Sequence, residues 1–163
     1  MQQPSNPTHQ EALKLAETGQ YQQALDLMQE RLKQDPQDAE ALNDTAVLLH
    51  CLDRSQESLD YLVKARQLDP DSAEIVWNLV ETYLAEARVT EAMDLLNEME
   101  SRGILGFDVL NRAADICLNH DKLREARDLL DWSLRLQPKQ EVLRPMIKVI
   151  DARIQSHNES MVS

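Results

Sequence analysis

Gln34-Asp35-Pro36-Gln37-Asp38-Ala39-Glu40 returns as Leu68-Asp69-Pro70-Asp71-Ser72-Ala73-Glu74, a shift of 34 residues. Pro138 continues the series two periods further on, and Ile104 stands where the intervening proline would fall. The same interval joins Ala24, Ser58, Ala92 and Ala126, and it joins Met28, Leu62, Leu96 and Leu130. Self-similarity at a fixed period of this size marks stacked supersecondary units, each too small to bury its apolar face alone. No insertion disturbs the register, so the units are 5–38, 39–72, 73–106 and 107–140.

Within each unit, apolar residues recur at helical spacing in two runs separated by a short turn such as Thr18-Gly19-Gln20. Three glycines and six prolines among many Ala, Leu, Glu and Gln are the materials of long helices, while strand-favouring residues are scarce. An all-α chain follows. Ala12, Ala46 and Ala114 in the first helices, with Ala24, Ser58, Ala92 and Ala126 in the second, let paired helices approach closely. Leu15, Leu49 and Tyr83 fill the space beside them. The prolines end the second helices, because proline lacks an N–H and restricts the residue before it.

A 34-residue helix-turn-helix period with small residues at fixed places and a terminal proline resembles the tetratricopeptide repeat over residues 5–140. The resemblance implies an all-α, right-handed superhelical solenoid whose task is to hold another protein or peptide. A single domain is expected over 1–157, with a capping helix at 141–156 presenting Leu143, Ile147, Ile150 and Ile154 on one face. Pro145 is tolerable in that helix's first turn. Thr8-His9-Gln10-Glu11 offers a capping box for the first helix, and tails 1–7 and 157–163 are expected to be flexible. Glu11 and Arg31 depart from apolar family positions, as suits a terminal repeat. Ser101-Arg102-Gly103-Ile104-Leu105-Gly106 replaces the proline connector, as a hinge or as an altered tight turn.

In proteins of this family the first helices line a groove. Carrying those positions over gives His9 and Leu13, then Glu40, Asn43, Asp44, Val47 and His50. The third repeat adds Glu74, Trp77, Asn78 and Glu81, and the fourth Asp108, Asn111, Arg112 and Asp115. Residues 5–106 hold 20 acidic and 8 basic side chains, whereas 107–140 balances six against six. A groove with Glu40, Asp44, Glu74 and Glu81 around Trp77 suits a basic, partly apolar segment, and Asn43, Asn78 and Asn111 are placed to hydrogen-bond its backbone. Trp77 is read as a ligand contact, because Val76 and Leu79 beside it already supply the buried stripe, with a core position as the competing reading. Heat-shock co-chaperones of the family grip a C-terminal carboxylate at positions matching His9, Leu13, Asp44, Glu74 and Asn78. Four of these five fail, and an acidic pair there repels a carboxylate.

Other classes fare worse. Nucleophile–base pairs, phosphate-cradling glycine loops and HExxH spacing are absent, so no enzyme and no cofactor are expected. His50, Cys51, Cys117 and His120 form a zinc-compatible set, but two repeats of helix spacings hold the pairs roughly 20–40 Å apart. A Cys51–Cys117 disulfide fails for the same reason, since bridged Cα atoms lie within about 7 Å. Asn97 to Ile104 resembles a pentatricopeptide repeat, which reads RNA, but the acidic third repeat opposes that reading. A net charge of −12 disfavours nucleic acid. With no long apolar run and two unpaired cysteines, a cytoplasmic chain without membrane contact is expected. The adaptor reading competes with a secretion-type chaperone, which would be a homo-dimer, and with the interaction module of a longer enzyme.

Overall fold

The computed structural model describes residues 7–160, and among these the regular elements are all helices. They are α1 (Pro7–Glu17), α2 (Tyr21–Gln34), α3 (Ala39–Cys51), α4 (Ser55–Leu68), α5 (Ala73–Ala85), α6 (Val89–Ser101), α7 (Phe107–Asn119), α8 (Leu123–Leu136) and α9 (Leu143–Ser160). The first eight fall two to each of the four units. Two compact parts divide between Thr82 and Tyr83. In the first, α1 packs on α2, α2 on α3, and α3 on α4; in the second, α7 packs on α8 and α8 on α9.

The small-residue series lies where helices meet: Ala24, Ser58, Ala92 and Ala126 have no solvent exposure. Met28, Leu62, Leu96 and Leu130, one turn later, are equally buried. A methyl or hydroxymethyl group at these contacts sets the helix separation, and the larger residue fills the layer beside it.

How each helix stops also repeats. Asp35, Asp69 and Gln137, each preceding a proline, adopt φ of −134, −131 and −135°. Proline pushes its predecessor out of the helical region, and the chain leaves the helix there. Where Ile104 replaces the proline, Gly103 takes φ +68° instead. Its N–H donates to the Glu100 carbonyl at 2.9 Å, and the Ile104 N–H donates to the Met99 carbonyl at 3.0 Å. The glycine link is thus a Schellman closure, a tight turn in place of the proline stop.

The turns inside the units use the same device. Gly19, Asp53, Ala87 and Asp121 stand 34 residues apart, with φ of 76, 58, 56 and 56°. The following N–H reaches back to Leu15, Leu49, Tyr83 and Cys117 carbonyls at 2.8–2.9 Å. Glycine adopts this left-handed conformation freely and aspartate tolerates it, but alanine's Cβ crowds the carbonyl. Ala87→Gly is therefore expected to raise stability by about 1 kcal/mol in urea denaturation. A loss would mean that the added freedom of the unfolded chain outweighs relief of the strain.

α9 lies at 143–160 rather than 141–156, and its Leu143, Ile147 and Ile150 are buried. Arg127 to Asp151 at 2.9 Å and Arg153 to Asp121 at 3.1 Å tie its rim to α8 and to the turn before it. α1 begins at Pro7, a favoured first helical residue. Thr8 accordingly lies inside the helix. Of the expected tails, 157–160 continue α9, while 1–6 and 161–163 lie outside the described residues.

Candidate functional site

On α3, Glu40, Asn43, Asp44 and Val47 follow the i, i+3, i+4, i+7 spacing of one helical face. The opposite side, Ala41, Thr45, Ala46, Leu48 and Leu49, is buried against neighbouring helices. α1 places His9 and Leu13 on the same side of the first part, and α5 places Glu74 and Asn78 there.

A rung repeats between adjacent first helices. His9 Nδ1 lies 2.9 Å from Asp44 Oδ2, and Asn78 Nδ2 donates to Asn43 Oδ1 at 2.9 Å. Both pairs are 35 residues apart, one position beyond the repeat, because neighbouring first helices pack slightly out of step. Asn43 Nδ2 also donates to Glu74 Oε1 at 3.1 Å. Asn43 is thus only 4 % exposed with both ends of its amide occupied. It bridges α3 and α5 instead of waiting for a ligand backbone, which corrects the role expected for it.

Trp77 needs the same correction. It is 8 % exposed and belongs to the core. Ile75, Val76, Leu79, Val80 and Leu84 are buried on the same helix, so the apolar arc of α5 spans more than one side and leaves only the sector of Glu74, Asn78 and Glu81 polar. A tryptophan outside the main stripe is then still covered.

Electrostatics single out Asp44. Burial lifts its carboxyl from 3.8 to about 6; His9 and Arg31 oppose the shift, and Glu40 and Glu74 add to it. The folded protein therefore holds this proton more tightly than the unfolded chain does. The resulting stabilisation is full below about pH 4 and is lost as pH rises through about 6. Asp44→Asn is expected to gain stability relative to the wild type from pH 4 to pH 7 in urea denaturation series. A pH-independent gap would mean that Asp44 titrates like a surface carboxylate.

Around Asp44 the face remains open and acidic. Glu40 keeps a 61 % exposed side chain although Arg31 Nη2 binds it at 2.8 Å, and the same nitrogen reaches Asp38 at 2.6 Å. Leu13 and Val47 are 47 % and 40 % exposed. They border an apolar cleft of about 70 Å³ between α1 and α3. His50 Nδ1 sits 3.4 Å from Ser55 Oγ at the end of α3, and Glu81 is half-buried on α5. In the second part, α7 exposes Asp108, Arg112 and Asp115. Asn111 Nδ2 donates to Gln140 Oε1 at 2.7 Å, tying α7 to the segment before α9.

The sequence reading missed a second feature. Trp132 is 6 % exposed, and its indole N–H donates to Glu100 Oε1 at 2.8 Å. With Met93, Asn97, Asp131 and Arg135 they line a cleft of about 470 Å³ between the second helices α6 and α8. The signal lay in the register, which aligns Trp132 with Glu30, Lys64 and Glu98, polar in every other unit.

Neither thiol is poised to react. Burial pushes Cys117 up to about 11, with Glu125 adding to it, and burial followed by Glu81 raises Cys51 as well. The thiolate is the nucleophile, so these shifts suppress cysteine chemistry at neutral pH. Among the described residues, no helix is long and apolar enough to cross a membrane.

Comparison with known proteins agrees with this construction. Two family profiles, each described as tetratricopeptide repeat, match residues 9–62 and 52–102. No curated protein matches the chain. Among solved structures, MamA from Desulfovibrio magneticus RS-1 is similar at 14 % identity and a TM-score of 0.72, over 94 % of this chain and 87 % of that one. MamA AMB-1 is similar at 19 % identity and 0.68, over 94 % and 91 %. The structure titled as a functional characterization of Pseudomonas aeruginosa pilF is similar at 20 % identity and 0.68, over 91 % and 68 %. At these identities the likeness speaks for the fold, and the profiles speak for the family. With its 34-residue period, small-residue helix contacts and repeated stops, the chain belongs to the tetratricopeptide repeat family, whose members are protein-interaction scaffolds and typically non-catalytic.

Proposed function

We propose that the chain is a non-catalytic adaptor whose α1–α3–α5 face binds a basic, partly apolar segment of another protein. The observation that carries this reading is the pairing of exposed Leu13 and Val47 with Glu40, Asp44 and Glu74 on one face. Carboxylates at the rim of an apolar surface attract lysine and arginine, speed their approach and reject acidic competitors. The two unpaired thiols support a cytoplasmic location.

The test is a pull-down from lysate of the source cells. Wild type is compared with a Glu40→Gln, Glu74→Lys variant whose helicity is checked by far-UV circular dichroism. Neutralising Glu40, instead of reversing it, keeps a hydrogen-bond acceptor for Arg31. A partner retained by the wild type is expected to bind the variant about tenfold more weakly, through a segment rich in Lys or Arg. Equal retention by a folded variant would move the functional surface elsewhere, first to the cleft beside Trp132.

A further inference from the structure

The cleft between α1 and α3 has a definite size and chemistry. Ala12, Ala16 and Leu48 are among its lining, Leu13 and Val47 border its mouth, and Asp44 closes its polar end beside His9. Its volume is about 70 Å³, whereas a cavity that takes a benzene ring measures about 150 Å³. An aromatic side chain is too large for it, and a branched aliphatic one is of the right order. Carboxylates outnumber the cations around the opening: Glu40 and Glu74 both act on Asp44, against His9 beside it and Arg31, which Asp38 and Glu40 already hold.

We infer that this cleft receives one leucine, isoleucine or valine side chain of the partner's segment, and that lysine or arginine stands beside it to meet Glu40 and Glu74. The inference rests on the groove reading above and adds to it the residue that anchors the segment. Desolvation of the aliphatic chain against Leu13 and Val47 supplies affinity, and the flanking carboxylates fix which segments are accepted. The site thereby recognises a short pattern, an aliphatic residue with a basic neighbour, and not basic charge alone.

Selection of a random dodecapeptide phage library on the full chain tests this, with the strongest peptide resynthesised for titration. Recovered peptides are expected to carry Leu, Ile or Val next to Lys or Arg. Replacing that aliphatic residue with serine should weaken binding about tenfold, and so should Leu13→Ser with Val47→Ser in the protein. Both changes together should weaken it little more than either alone, since they remove one shared contact. Losses that simply add would place the aliphatic residue elsewhere and overturn the cleft assignment while the groove reading stands. Recovered peptides without basic residues would overturn both. The peptide-side substitution needs no altered protein, so a variant that folds poorly does not blunt the result.

Discussion

Trp77→Ala is expected to lower the free energy of unfolding by about 3–5 kcal/mol, the usual penalty for emptying a buried tryptophan site. The side chain is 8 % exposed and sits on a helix whose Ile75, Val76, Leu79 and Val80 are also buried. Removing the indole therefore leaves a void whose lining is itself core. Urea denaturation of the variant should shift to lower midpoint with little change in slope. Trp77→Phe, which keeps an aromatic ring there, should recover much of the loss. Had Trp77 been a ligand contact, alanine would leave stability nearly unchanged and abolish binding. A near-neutral melt would restore that reading.

Trp132→Ala should cost a similar amount, about 3–5 kcal/mol, for a ring that is 6 % exposed on α8. Here the two contributions separate. Trp132→Phe retains most of the apolar burial and gives up the hydrogen bond to Glu100, a loss of about 1 kcal/mol. A phenylalanine variant as unstable as the alanine one would mean that ring fit, more than area, governs the site. The chain's only two tryptophans fall one on each side of the Thr82–Tyr83 division. Each phenylalanine variant then carries a single indole that reports, by fluorescence, on the part that was left intact.

The repeat itself was legible because packing at helix contacts admits few residue types, so the small residue at 24, 58, 92 and 126 survives as a visible period. The proline stops were legible for the same reason, since no other residue restricts its predecessor in that way. The left-handed turn positions were hidden. Only Gly19 announces one; Ala87 gives no warning, because alanine is chosen there against its own backbone preference. Helical spacing also failed at Trp77, where a wheel sorts residues into an inner and an outer face while α5 is covered on more than one side. The rungs escaped notice because they join residues 35 apart. That offset belongs to how one helix lies on the next, and a comparison made at the repeat length passes over it. For Asn43 the consequence was a side chain assigned to a ligand while its neighbours had already engaged it.

The turns at Gly19, Asp53, Ala87 and Asp121 are closed by backbone bonds between residues of their own hairpin. A junction of that kind makes no demand on the identity of what comes before or after it in the chain. A gene segment encoding one such hairpin can be copied or lost in frame with its own turn carried intact. Array length becomes a quantity that evolution adjusts in whole steps, with only the polar rungs between neighbouring first helices left to be matched anew.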